Sequence, residues 1–190
     1  MVNLLVYIEK LFRNNFIKFK GLILKLYLLT HGCKVGKHLR VHKFPKFRTI
    51  PKRNIRIGNN VTIGYSIFFE TTERGKIIIG NKTNLTSNIV LCANELIEIG
   101  EQVLIAENVS IRDANHQISS SKSILSQPHS SKPVKIGNDV WIGAGTLILS
   151  GSEIPDGVVI GASSLVLGNS NIKSYSVYGG CPIKFLKNRD

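Results

Sequence analysis

IGNDVWIGAGTLILSGSEIPDGVVIGASSLV, residues 136–166, places an aliphatic side chain at Ile136, Ile142, Ile148, Ile154, Ile160 and Val166, one every six residues. The count continues downstream to Ile172 and Tyr178 and upstream through Ile57, Ile63, Phe69, Ile79, Leu85, Leu91, Ile99, Ile105 and Ile111. It slips only between Phe69 and Ile79, Leu91 and Ile99, and Ile111 and Ile136, each time after a third repeat. Every slip therefore falls at the same corner of a three-sided coil. A repeat of six is the signature of a parallel β-helix, in which one short strand per repeat stacks on its equivalent in the next coil.

The residues around each aliphatic fit that geometry. Gly follows it at Gly58, Gly64, Gly80, Gly100, Gly137, Gly143 and Gly161. A small or β-branched residue stands four positions after it at Val61, Thr83, Val103, Val109, Val140, Thr146, Ser152, Val158, Ser164 and Ser176. The pairs Asn59-Asn60, Asn81-Lys82, Asn138-Asp139 and Asp156-Gly157 lie between. Gly and Asn tolerate the tight or left-handed backbone of a corner, and β-branched residues suit short flat strands. A β-sandwich would alternate with period two instead.

Three stretches carry a resemblance: Ile105-Ala-Glu-Asn-Val-Ser-Ile-Arg-Asp-Ala-Asn-His116, Ile136-Gly-Asn-Asp-Val-Trp-Ile-Gly-Ala144 and Tyr178-Gly-Gly-Cys-Pro-Ile-Lys184. With the pattern aliphatic-Gly-x-x-small-x, residues 57–187 resemble the hexapeptide-repeat acyltransferases, and in particular the branch that acetylates sugars. The resemblance implies an all-β fold, a left-handed parallel β-helix, assembled as a homotrimer, with acetyl-CoA as co-substrate and no metal. The expected organisation is a basic N-terminal helical segment over 1–56, the β-helix over 57–179 with one extended loop at 117–135, and a C-terminal tail over 180–190.

The net charge of +13 resides in the N-terminal segment: residues 1–56 hold 14 Lys and Arg against the single acid Glu9, while residues 57–190 are neutral. Residues 1–30 read as an apolar helix with one polar stripe, Asn3, Lys10, Asn14, Lys18 and Lys25. No apolar run reaches the roughly 20 residues that span a bilayer, and no signal-peptide cleavage site follows. Such a helix can cap the open end of the coil, pack on a trimer partner, or lie on an anionic membrane surface. The basic residues carry no nucleic-acid recognition motif. Cys33, Cys92 and Cys181 are an odd set without paired spacing, which fits a reducing, cytoplasmic setting and suggests no catalytic thiol.

The polar, Ser-rich insertion 117–135 begins directly after His116. Loops on rigid scaffolds commonly carry sites, and His116 stands where the resembling family has its catalytic histidine. Acetyl transfer from a thioester to a hydroxyl needs a base, and imidazole titrates near neutral pH. His116 is the expected general base. Asp113 could orient that imidazole, hold the acceptor, or be an exposed turn acid. Asn84 and Asn88 are candidates for the acceptor, with Asn88 preferred although Thr86 occupies the closest equivalent position. Trp141 and the Gly143-Ala144 turn are the neighbourhood for an oxyanion donor. The resemblance further implies that Ala144, Ala162, Lys184 and Lys187 contact acetyl-CoA. The chain departs from the family at Leu167-Gly168, where Thr-Lys is common, and at Ile183, where Ala is usual.

The N-terminal segment differs from that of maltose and galactoside acetyltransferases, which favours a polysaccharide or lipid-linked glycan over a small free sugar. An N-acetyltransferase acting on a nucleotide sugar would use the same base. A γ-type carbonic anhydrase would need three converging histidines, and the coils hold only His116 and His129. A catalytically silent scaffold would have no use for the His116 and Trp141 motifs.

Overall fold

The sixfold aliphatic count closes into a three-faced β-solenoid in the structure, a computed structural model that describes residues 2–189. The first face stacks Lys34–Val35, Ile55–Ile57, Lys76–Ile79, Leu96–Ile99, Val134–Ile136 and Glu153–Ile154. The second stacks Arg40–Val41, Thr62–Tyr65, Asn84–Ser87, Leu104–Ile105, Trp141–Ile142, Val159–Ile160 and Ser176–Gly179, and Lys184–Asn188 closes it antiparallel. The third stacks Lys46–Phe47, Phe68–Thr71, Val90–Ala93, Ser110–Arg112, Leu147–Ile148 and Leu165–Val166. The fold is a left-handed parallel β-helix.

Register follows the aliphatic ladder. Ile57, Ile79, Ile99, Ile136 and Ile154 are successive partners on the first face. Phe69, Leu91, Ile111, Ile148 and Val166 are partners on the third. Extra residues at the slipping corner therefore bulge outward and leave the interior ladder in register. The small residues four positions after each aliphatic are all buried at the corners. Where they are hydroxylic they satisfy backbone groups: Thr83 Oγ1 donates to Gly100 O (2.9 Å), Thr146 Oγ1 to Gly161 O (3.1 Å) and Ser164 Oγ to Gly161 O (2.7 Å). Ile172 packs against the core without joining a strand.

The corner between the first and second faces repeats one device. Asn60, Lys82, Gln102, Asp139, Gly157 and Tyr175 all have positive φ. Each gives its N–H to a carbonyl of the preceding coil, at Lys37, Asn59, Asn81, Glu101, Asn138 and Asp156, over 2.8–3.1 Å. Side chains add a second ladder: Asn59 N–H donates to Asn81 Oδ1 (2.7 Å), Glu101 N–H to Asn138 Oδ1 (2.8 Å) and Asn138 N–H to Asp156 Oδ1 (2.6 Å). These bonds hold non-glycine residues in a left-handed conformation that costs about 1–2 kcal/mol each.

The solenoid begins earlier than the expected boundary at residue 57. Val35 pairs with Ile57, Val41 with Ile63 and Phe47 with Phe69. Residues 34–47 are thus a first coil, and the basic segment is divided between that coil and a helix.

The helix, α1 (Val2–Thr30), buries Ile17, Gly21, Leu24 and Leu28, spaced four, three and four, which is one face at 3.6 residues per turn. Leu24 and Leu28 join the same core cluster as Cys33, Leu39 and Val41, so α1 lies across the open end of the coil. Burying each such side chain stabilises by about 1.5–3 kcal/mol. Lys20 Nζ donates to His42 O (2.7 Å), Lys25 Nζ to Gly36 O (2.9 Å) and Arg40 Nη2 to Asn14 Oδ1 (3.4 Å), so part of the polar stripe ties the helix to the coil. The Asn3 side chain and Asp190 lie outside the described residues. Gly32, at φ +73°, ends the helix: its N–H bonds Leu29 O (2.9 Å) and that of Cys33 bonds Leu28 O (3.0 Å).

A Cβ on Gly21 would collide with the backbone carbonyl of Leu39. Alanine improves helix propensity by about 1 kcal/mol, but a backbone atom cannot yield as a side-chain tip does. Gly21→Ala is expected to lower stability in urea unfolding by about 1–3 kcal/mol and to expose α1 to limited proteolysis.

Candidate active site

The chain leaves the coil after Arg112 as an antiparallel ribbon. Ala114–His116 pairs with His129–Ser131, with His116 opposite His129, and Val134–Ile136 then rejoins the first face. The expected loop 117–135 is therefore partly paired structure at the edge between the third and first faces. Its tip is organised by Gln127, buried among polar neighbours: Ser119 N–H donates to Gln127 Oε1 (2.8 Å), and Gln127 Nε2 donates to Ser119 O and Lys122 O (3.0 Å each). Nothing in the local sequence pattern singled out Gln127.

His116 is exposed on this ribbon, and its ring meets that of His129 edge-on, with centroids 4.1 Å apart and planes at 88°. The cross-strand register that makes them neighbours could not be read from a separation of thirteen residues.

Asp113 differs from each of its expected roles. It is fully buried, and its carboxylate accepts the N–H groups of Asn94, Glu95 and Leu96, all at 2.7 Å. Its carbonyl accepts Lys132 N–H (2.9 Å) and Ser150 Oγ (2.7 Å). Both carboxylate oxygens are thus engaged by the coil beneath. Asp113 anchors the root of the ribbon rather than orienting the imidazole or standing exposed in a turn.

The remaining expected residues lie on the second face or at its edge with the third. Asn88, Ala144 and Ala162 lie between the second and third faces, in or beside a column of positive-φ residues formed by Ser66, Asn88, Asn108, Gly145 and Ser163. Asn88 Nδ2 donates to Asn108 Oδ1 (2.6 Å). Asn84 and Trp141 open second-face strands with exposed side chains, and Trp141 is in register with Leu104 and Val159. Thr86 carries a buried hydroxyl without a partner among the described residues. Lys184 and Lys187 lie exposed on the closing strand, opposite Gly179 and Val177. One chain therefore does not bring His116 together with the others.

The oxyanion neighbourhood narrows. Trp141 N–H bonds Val158 O (3.0 Å), Gly143 N–H bonds Ile160 O (2.8 Å) and Gly145 N–H bonds Glu107 O (2.9 Å), so these amides are spent on stacking. Among the described residues, the Ala144 and Ala162 amides are not engaged by the coil. Cys92 is buried, and burial first, then the nearby Glu70, pushes its thiol up, which disfavours a thiolate nucleophile. Cys33 is buried and Cys181 exposed. No group of three His, Cys, Asp or Glu among the described residues is arranged to hold a metal.

The family described as bacterial transferase hexapeptide (six repeats) matches residues 133–168. A Mycobacterium tuberculosis protein named as a probable acetyltransferase is 31% identical over 166 residues, covering 86% of this chain and 52% of its own length. This chain thus spans about half of that relative. An Escherichia coli K12 protein, provisionally named lipopolysaccharide biosynthesis O-acetyl transferase WbbJ, is 30% identical over 159 residues, 80% of each chain. A galactoside acetyltransferase solved in complex with coenzyme A superposes with a TM-score of 0.60 at 25% identity, over 83% of this chain and 65% of that one.

Removing the buried Asp113 carboxylate would take away the shared acceptor of three backbone N–H groups in the turn Asn94–Leu96, and a hydrogen bond to a charged group contributes about 1.5–3 kcal/mol. Asp113→Ala is expected to lower stability by about 3 kcal/mol or more in urea unfolding; a loss below about 0.5 kcal/mol, the range of an ordinary surface substitution, would contradict this role.

Proposed function

This chain belongs to the bacterial hexapeptide-repeat transferases, and on that premise we propose that it moves acetyl from acetyl-CoA to a sugar hydroxyl, with His116 as general base. The carrying observation is the exposed imidazole at the outer end of the paired ribbon, at an edge where the neighbouring candidate acid, Asp113, is committed to backbone amides. In this reading His116 takes the hydroxyl proton as oxygen attacks the thioester carbon, the C–S bond breaks, and the proton passes to the departing thiolate.

Acetyl-CoA has a chemically suited cradle at the edge of Ala144 and Ala162, where small side chains admit an extended arm and the amides are not spent on the coil. Lys184 and Lys187 project from the closing strand as partners for the CoA phosphates. Because that edge and the His116 edge are different edges of one prism, a complete site calls for the His116 edge of one copy beside the alanine edge of another. A homotrimer satisfies this with closed symmetry. The similarity to a protein named for lipopolysaccharide biosynthesis supports a surface-glycan sugar as acceptor.

The test is acetyl-CoA consumption with nucleotide sugars, lipid-linked oligosaccharides and free glycans as acceptors. With the productive acceptor, His116→Ala is expected to retain fold and acetyl-CoA affinity while losing turnover by about 10²–10⁴. Retained turnover with weakened binding would reassign His116 to binding and move the base to His129.

A further inference from the structure

The face of α1 turned away from the coil carries Phe12, Phe16, Phe19, Leu22, Ile23 and Leu26, each exposed over 41–73% of its surface. At 100° per residue they occupy one broad arc opposite the buried line of Ile17, Gly21, Leu24 and Leu28. A continuous apolar face of this kind on a folded chain marks a surface that is covered in use. No described helix is long and apolar enough to cross a membrane.

Charge selects the occupant. The +13 charge lies in residues 1–56, and Arg13, Lys18, Lys37, Lys43 and Lys46 are exposed around the helix and on the first coil. A groove of about 780 Å³ runs between helix and coil, with Leu22 and Leu39 beside Lys18, Lys37, His38 and Arg40. His42 is held below its ordinary pKa, by burial first and then by Arg40, Lys20 and Arg13, which reports the same positive field.

We infer that this end of the solenoid docks on an anionic phospholipid bilayer, with the apolar face of α1 among the acyl chains and the surrounding lysines and arginines against the headgroups. An interfacial helix binds in this way, through apolar burial together with attraction to anionic lipid. The direction of the face favours lipid over a second copy: α1 closes the end of the coil, so a copy lying beside the coils leaves this face open. The solenoid then stands upright. His116 follows the third-face strand of the fourth coil, three strand spacings of about 4.8 Å each above the first, which puts it roughly 14 Å from the docked end. That height suits a sugar carried on a lipid, a consequence that rests on the proposed acetyl transfer, whereas lipid docking itself does not.

The experiment is flotation of the full chain with phosphatidylcholine vesicles, with and without phosphatidylglycerol. Binding is expected to be about tenfold or more tighter to the anionic vesicles and to weaken when salt is raised to about 1 M, where the Debye length falls to about 3 Å. Phe16→Asp with Phe19→Asp is expected to abolish it with circular dichroism and sedimentation mass unchanged. Lys37→Glu with Lys43→Glu, both exposed on the first coil, is expected to weaken anionic binding alone, and serves if the aspartate pair misfolds. No flotation with either vesicle, anionic binding unaffected by the lysine reversals, or an aspartate pair that splits the oligomer while leaving lipid binding intact would overturn the inference, the last assigning the face to a second copy. None of these outcomes bears on whether His116→Ala loses turnover.

Discussion

The structure depends on the bonding of each coil to the one before it at the corner between the first and second faces. There a residue with positive φ gives its N–H to a carbonyl one coil back, repeatedly from Asn60 to Tyr175. The constraint is reciprocal: stacking holds Lys82 and Gln102 in a conformation they would not adopt alone, and that conformation returns the chain in register for the next strand. Once the corner is fixed, the interior ladder of Ile, Leu and Val fills a prism whose width hardly varies, and each repeat is stabilised mainly by its neighbours.

A prism built this way leaves its three edges chemically different. The first edge is consumed by the Asn and Asp ladder. The second holds Ala144 and Ala162, where the backbone is approachable because the side chains are small. The third permits extra residues without disturbing the ladder, and from it the ribbon of His116 and His129 projects. Asp113 makes that projection rigid, since its buried carboxylate gathers three amides of the turn below. The imidazole and the alanine turns to which we assign reaction and binding thus sit on stiff edges, and the geometry of the fold separates them within one chain.

Much of this was legible in the sequence because the repeat is strict: the ladder, its slips, the buried small residues and the place of His116 follow from counting by six. The first coil escapes the count although Val35-Gly36, Val41 and Phe47 keep the spacing, because Leu39 and Pro45 stand where other coils have a β-branched residue or Ser. Leu39 is large because α1 covers it, a tertiary fact. The role of Asp113 is hidden from the local pattern for a related reason. Its distance in sequence from His116 is three residues, but its partners, Asn94 to Leu96, lie one coil back, and coil length outranks local spacing. The polar stripe of α1 was visible, whereas its partial use as a strap to the coil required the register of helix on coil.

The central claim is that the His116 edge of one copy works with the Ala144 edge of another, and mixed oligomers test it most directly. An arginine at Ala144 should block the acetyl-CoA edge, and alanine at His116 removes the base, so each variant alone should be inactive. Co-expressed, the two should assemble some interfaces that carry an intact edge from each chain, and acetyl transfer should reappear. If mixed oligomers form and remain as inactive as their parents, the two edges do not share a site, and the account of catalysis between copies is wrong.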